Sequence, residues 1–404
     1  MNELQNFKKI SETENLLSEK IIANNDNLDI YRNRMELKER YLSILKKYVV
    51  TDNELERRKK QGIKKGKKDI VVSEIMFQAI QDCSTWFRYE MTSGFTDMKV
   101  QRANRCHHKY CPQCARIQAL RRTMQATYLM QELEKDGYTF IFLTLTTKNY
   151  DEQELEEKML EMNKALNQRF LKYKLLKQAF HGCIRKFELT YNPYVYKNGR
   201  QIRKNGKPVI DPNKKPFNAH IHMIVAVKKS YFGRNYITQA TLRELWQKAL
   251  NVDYLPQVNA KRVKLPKIEN IEQTHAEYDE KREELSRQNF INGALEIGKY
   301  VAKASDYLIS DEMFAIFYET LFKKRNWTMS GVFKNKKKEL EQQDIDIDQE
   351  LLYKDLEFNY IADYNYNNFD NNFYMTRLSQ KDNEKEKAFD EILDKLLEEN
   401  KEVK

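Results

Sequence analysis

His220 and His222 stand two residues apart inside the apolar run Asn-Ala-His-Ile-His-Met-Ile-Val-Ala-Val at 218–227, and they are two of only six histidines in the chain. A β-strand turns successive side chains to opposite faces, so these two imidazoles share one face. Two imidazoles on a stiff strand can chelate one divalent ion, Mg2+ or Mn2+, and leave coordination positions open for a phosphate. A third ligand is expected from a neighbouring strand. Residues 183–191 alternate as such a strand, and Ile184, Lys186, Glu188 and Thr190 fall on one of its faces. Glu188 is the candidate ligand, because an acid in an otherwise apolar run needs a partner. Its competing role is a simple ion pair with Lys186. For the histidines the competing role is two half-buried, hydrogen-bonded rings.

A nucleophile is offered by Tyr300. The spacing predicts a helix over 293–309, which places Glu296, Tyr300, Lys303 and Tyr307 on one stripe and Ile297, Val301, Ala304 and Leu308 on an adjacent apolar one. A phenol titrates near ~10 and attacks poorly at neutral pH without a cation or base beside it. Lys303 can lower that value or hold the phosphate, and Glu296 can orient or deprotonate a water. With 24 tyrosines in the chain, packing is the default role for each. Tyr300 is set apart only by its neighbours. Paired histidines and a tyrosine suggest metal-assisted DNA cleavage by the phenol.

A second metal is suggested by Cys106, Cys111 and Cys114, where Cys-Pro-x-Cys forms the knuckle that zinc uses. Cys83 completes four thiolates; His107 or His108 could replace it. Four protein ligands with no open position make a structural Zn2+ site. The helix expected from Ala115 to Met130 carries Arg116, Arg121 and Arg122, which can meet nucleic acid. Cys183 reads as core.

Buried strands at 139–147, 183–191 and 218–227 must carry these groups, with helices at 151–173 and 238–250, the latter capped by Thr238. Asn198-Gly199 and Asn205-Gly206 mark tight turns in the basic excursion 194–216, whose Lys214 and Lys215 are candidate DNA contacts. The net charge is +11, yet residues 339–370 hold ten acids against one base, so the remainder carries +20. A basic body with an acidic tail fits a polyanionic partner. Clustered, odd-numbered cysteines and no long apolar run argue for a reduced, cytoplasmic protein without a membrane span.

Four ordered motifs over about residues 80–310 resemble the plasmid rolling-circle replication initiators of Gram-positive bacteria, a branch of the HUH (His-hydrophobic-His) endonucleases. They are Arg105-Cys106 through Cys111-Pro112-x-Cys114, Phe142-Leu143-Thr144-Leu145-Thr146, Ala219-His220-Ile221-His222, and Glu296-x3-Tyr300-x2-Lys303 followed by Ser305-Asp306-Tyr307. The resemblance implies nicking of one strand at the double-strand origin, presented single-stranded or as a hairpin. Tyr300 would join the 5′-phosphate and leave a 3′-OH primer for a host polymerase, and Glu296 would direct hydrolysis at termination. It also implies a host helicase as partner and dimerisation. The different-class alternative is a zinc-containing nucleic-acid-binding protein without catalysis; a nearer variant is an HUH transposase or relaxase. The expected fold is α+β, a central antiparallel sheet with flanking helices, plus the zinc knuckle and helical terminal extensions. The expected segments are a helical and linker extension (1–70), the knuckle with its basic helix (71–130), the catalytic domain (131–310) and a helical, acidic tail (311–404).

Overall fold

Among the described residues there are nine strands of five or more residues: β1 (Trp86–Thr92), β2 (Met98–Ala103), β3 (Tyr138–Thr146), β4 (Gly182–Tyr191), β5 (Phe217–Lys228), β6 (Val258–Arg262), β7 (Trp327–Gly331), β8 (Phe358–Asn367) and β9 (Asn372–Gln380). The computed structural model describes residues 31–32, 34–61, 70–233, 236–263, 302–321, 324–343, 345 and 356–382. The chain divides into two units. One comprises Met1–Gly62, Val71–Cys114 and Lys354–Lys404; the other comprises Ile63–Ile70 and Ala115–Tyr353. This grouping differs from the four consecutive segments expected, because the C-terminal stretch shares a unit with the cysteine knuckle.

The larger unit holds an antiparallel sheet in the order β6-β3-β5-β4-β7. The three strands expected from alternation are its three central ones. On β5 the residues beyond His222 on the same face, Ile224 and Ala226, are fully buried. They pack with Phe140 and Ile184 of adjacent strands against Ala126, Leu129, Met130 and Leu133 of helix α3 (Pro112–Lys135) and Phe333 and Leu340 of helix α7 (Val332–Gln342). Burying each of the larger of these side chains, the leucines, isoleucines, phenylalanines and Met130, stabilises the fold by about 1.5–3 kcal/mol. One end of this sheet face is therefore sealed by helices, and the other end carries the polar residues.

Local signals behave as their chemistry dictates. Helix α4 (Glu152–Lys164) opens with a capping box between Asp151 and Glu154, and Leu155, Met159 and Met162 form its buried stripe. Helix α5 (Gln239–Leu250) is capped by Thr238, whose hydroxyl accepts from the Thr241 amide at 3.1 Å. In the basic excursion, Asn198, Gly199, Asn205 and Gly206 all adopt positive φ, as the tight hairpin turns between Tyr196–Lys197 and Arg200–Gln201 and between Arg203–Lys204 and Lys207–Pro208 require.

The smaller unit is built on a sheet in the order β9-β8-β1-β2. Residues 358–380 are thus a β-hairpin and not the helical tail expected. Its burial of Ala362, Tyr364 and Phe373 against Phe87, Tyr89 and Met91 gives the physical reason. Arg88 and Asp363 stand opposite each other in this sheet, joined by two bonds of 2.8 and 3.0 Å, with side chains only 6% and 11% exposed. Asp363→Ala takes from the buried guanidinium the carboxylate that neutralises it, so unfolding titrations should show a loss of about 3–5 kcal/mol. A loss below about 1 kcal/mol would show that water reaches the pair freely.

A second correction concerns the helix expected over 293–309. Lys303 is extended, at φ −74° and ψ 138°, and among the described residues of this span only Ala304–Tyr307 forms a helical turn. Lys303 and Tyr307 therefore do not continue one helical stripe. The turn is held by the Asp306 carboxylate, which accepts from the Tyr191 amide at 3.2 Å, and by the buried Tyr307 ring beside Phe314 and Phe317.

Candidate active site and cysteine cluster

Strand register brings the predicted ligands together. His220 lies opposite Thr146 of β3 and Glu188 of β4; His222 lies opposite Thr144 and Lys186. Directly opposed residues of an antiparallel pair point to the same face. Two polar rows thus cross the sheet beside each other. His222 Nε2 is 2.9 Å from Glu188 Oε2, and Lys186 Nζ reaches the same oxygen at 3.2 Å. Thr144 Oγ1 lies 3.3 Å from His222 Nδ1, and the Phe142 ring stacks on His222 with centroids 5.8 Å apart. Each contact restrains the imidazole's orientation.

Electrostatics favour ligand-competent protonation states. Burial works to raise the Glu188 pKa, but the hydrogen bond from His222 and the charge of Lys186 outweigh it and hold the carboxyl at about 2. Burial, assisted by His222, pushes His220 below the usual histidine range. A neutral imidazole and an ionised carboxylate are the forms that bind a metal. His220 Nδ1 is buried without a hydrogen-bond partner, an orphan of the kind a ligand satisfies. His220, His222 and Glu188 thus share one face, but their ligand atoms do not all lie within 4.8 Å of one another. The ion pair of Glu188 with Lys186, the competing role considered for that carboxylate, is present.

The histidines open onto a cleft of about 550 Å³, also lined by Thr144, Thr146, Gln239, Arg243, Gln257, Val258 and Asn259. Sequence reasoning missed the contributions of α5 and β6. No local pattern marks Arg243 or Asn259; only strand order and helix placement bring them here. Tyr300 and Glu296 lie outside the described residues, and Lys303 is described as the exposed residue preceding the short turn.

In the smaller unit, Cys83, Cys106, Cys111 and Cys114 converge, with every sulfur within 4.8 Å of the others. Among the described residues this is the one group of three or more histidines, cysteines or acids so closely gathered. The Sγ–Sγ separations are 3.4 Å for Cys83–Cys114, 3.6 Å for Cys106–Cys114 and 3.7 Å for Cys111–Cys83. A tetrahedral ion with sulfur ligands at ~2.3 Å sets its sulfurs ~3.8 Å apart. This buried group could bind a metal such as zinc, and Cys83 supplies the fourth sulfur. His108 is instead bonded through Nδ1 to the Tyr41 hydroxyl at 2.5 Å, and burial pushes its pKa down to about 4. Hydrogen bonds from Cys106, Cys111 and Cys114 hold the Cys83 thiol far below the ordinary range, so one thiolate is readily formed. Cys183 is buried beside Ser330, as a core residue.

The basic candidates differ among themselves. Arg121 is exposed. Arg122 packs its guanidinium 5.5 Å from the Trp327 ring centre, and burial lowers its pKa to about 10. Arg116 has a buried Nε without a partner. Lys214 donates to the Tyr194 carbonyl at 2.9 Å, and Lys215 pairs with Asp151 and Glu154 at 3.0 and 2.5 Å. Lys215 is thus partly neutralised within the fold.

These features define a mixed α/β protein with antiparallel sheets, a paired-histidine face on a cleft and a separate cysteine cluster. A family model described as "Replication protein" matches residues 97–377, more than half of the chain. The chain belongs to this replication protein family, in line with the resemblance of its motifs to plasmid Rep initiators. A "Protein rep" of Staphylococcus aureus is 28% identical over 245 residues, covering 59% of this chain and 87% of the relative. A "Protein rep" of Bacillus amyloliquefaciens is 27% identical over 271 residues, covering 65% and 72%. Another, from Streptococcus pneumoniae, is 24% identical over 293 residues, covering 71% and 78%. No solved structure matches the chain. No helix among the described residues is long and apolar enough to cross a membrane.

Proposed function

We propose that this protein initiates rolling-circle plasmid replication by nicking one strand of its origin through Tyr300. The observation that carries the reading is that His220, His222 and Glu188 share one sheet face, with the two histidines lining a cleft. In this reading the three hold Mg2+ or Mn2+ against a backbone phosphate; such an ion supplies Lewis-acid polarisation of the phosphoryl oxygens. Lys186 and Thr144 fix Glu188 and His222 in their ligating orientations. The Tyr300 oxygen attacks phosphorus, the bond to the 3′ oxygen breaks, and the departing oxygen takes a proton to become the 3′-OH primer. Lys303 stabilises the phenolate. Glu296 deprotonates the water of the second, terminating cleavage. The four cysteines hold structural zinc, and Arg116, Arg121, Arg122, Lys214 and Lys215 contact origin DNA. A host helicase and polymerase act with the nicked product, and the protein can act as a homodimer.

Supercoiled plasmid carrying the replicon tests this directly. Wild-type protein with Mn2+ should give open circles bearing covalently attached protein, and Tyr300→Phe should give neither. Mobility shifts without adducts would instead support a binding protein. Glu296→Ala should retain the first nick within about threefold but release at least tenfold less protein-free circular product. Loss of the first nick in that variant would show that Glu296 serves the initial cleavage too.

A further inference from the structure

The cleft beside the histidines contains a cation that the proposed chemistry leaves unused. Arg243 projects from α5 into its lining, and its Nε is buried without a hydrogen-bond partner. Leaving a buried guanidinium nitrogen unsatisfied is costly, and an incoming acceptor removes that cost. The helix is firmly anchored. Leu242, Trp246 and Ala249 are buried, and the Trp246 indole donates to the Thr146 carbonyl at 2.8 Å. Thr146 pairs in register with His220. Arg243 is thus fixed relative to the paired imidazoles through one short path. Across the cleft, Asn259 stands opposite Thr144, and Gln257 accepts through its carbonyl from the Thr146 amide at 3.2 Å and hydroxyl at 3.0 Å. Gln239 completes the rim. No carboxylate is among these lining residues. Cation, neutral amides and hydroxyls suit a phosphodiester with a base attached.

We infer that this cleft is a single-nucleotide subsite for one DNA strand, in which Arg243 pairs with the phosphate next to the one at the histidines and the amides of Gln239, Gln257 and Asn259 meet the base. The inference rests on the DNA-nicking reading above and adds a substrate-binding residue to it. A guanidinium matches phosphate by two parallel bonds, which an ammonium cannot reproduce. The amides offer donors and acceptors to a base edge, so they bias which base is accepted, whereas Arg243 contributes regardless of sequence.

The test uses the full chain and a fluorescein-labelled 20-nucleotide oligodeoxythymidine, with affinity followed by anisotropy across a salt series. Each phosphate contact on a single strand contributes about 0.7 to the slope of log affinity against log salt. Arg243→Ala should lose about 0.7 of that slope and bind about tenfold more weakly at low salt. Arg243→Lys should keep the slope with weaker binding. Asn259→Ala should keep the slope and narrow the difference between oligodeoxythymidine and oligodeoxyadenosine. On the replicon's own strand, Arg243→Ala should raise KM about tenfold and leave kcat within twofold. If Arg243→Ala melts early, Arg243→Gln carries the same measurement. Wild-type slope and affinity in a folded Arg243→Ala or Arg243→Gln overturn the subsite. Adducts with an unchanged slope refute the subsite and leave the nicking reading standing; a lost slope without adducts refutes the nicking reading and leaves a strand-binding cleft.

Discussion

His220→Ala and His222→Ala should each reduce plasmid nicking by about 10³-fold while the protein stays folded. The magnitude follows from losing several kcal/mol of charge stabilisation at the phosphate, about 4 kcal/mol here, at 1.36 kcal/mol per factor of ten. The two variants should differ in their side effects. His222 contacts Glu188, Thr144 and the Phe142 ring, so its removal also frees the carboxylate and disturbs Lys186, which is fully buried. His220 has one orphaned buried nitrogen, and its removal disturbs fewer bonds. His222→Ala should therefore lower the melting temperature of the larger unit more than His220→Ala does. Higher Mn2+ should partly rescue His220→Ala, because His222 and Glu188 remain. Nicking within tenfold of wild type in both variants would show that the imidazoles only pack the sheet.

Removing metal from the cysteine cluster should produce the largest effect on stability. Three of the six sulfur pairs lie at 3.4–3.7 Å and all lie within 4.8 Å, a spacing that suits a tetrahedral ion. Helix α1 (Met35–Leu45) is tied to the same region, since Lys38 Nζ donates to the carbonyls of Gln81 and Cys83 at 2.8 and 3.1 Å. Without an ion, the four sulfurs have only weak bonds, to one another, to the His108 amide and to the Ser84 hydroxyl. Purified protein should contain one zinc per chain. A strong zinc chelator, or Cys111→Ser, should release it and abolish the cooperative melting of the smaller unit. In zinc-dependent modules the metal contributes about 10–16 kcal/mol at neutral pH, more than a small unit can spare. An unchanged melting profile and metal content in Cys111→Ser would remove the zinc assignment.

Much of the site was legible because it is built from local periodicity. Alternation in 183–191 and 218–227 fixed which side chains share a face, and register then placed His220 opposite Glu188. The cysteine spacing pointed to one cluster, and the two Asn-Gly pairs to the turns where positive φ occurs. What escaped notice depends on distant partners. The strand holding Asp363 pairs with one 275 residues earlier, and its acidic, Asn-rich surroundings gave no sign of that partner. Arg243 lines the histidines' cleft only because its helix docks on the sheet, with Trp246 donating to the Thr146 carbonyl. The break at Lys303 is equally non-local, since Asp306 is drawn to the Tyr191 amide on a strand far away in sequence. Periodicity alone extended a helix across that point.

The most direct test is to incubate the protein with Mn2+ and single-stranded DNA tiled across its replicon, digest with protease, and identify the residue that carries nucleotide. Modification of Tyr300 alone, absent without divalent metal and absent in His220→Ala, is the predicted result. Modification at Tyr307 or any other residue, or adducts that form equally well in chelator, would contradict it.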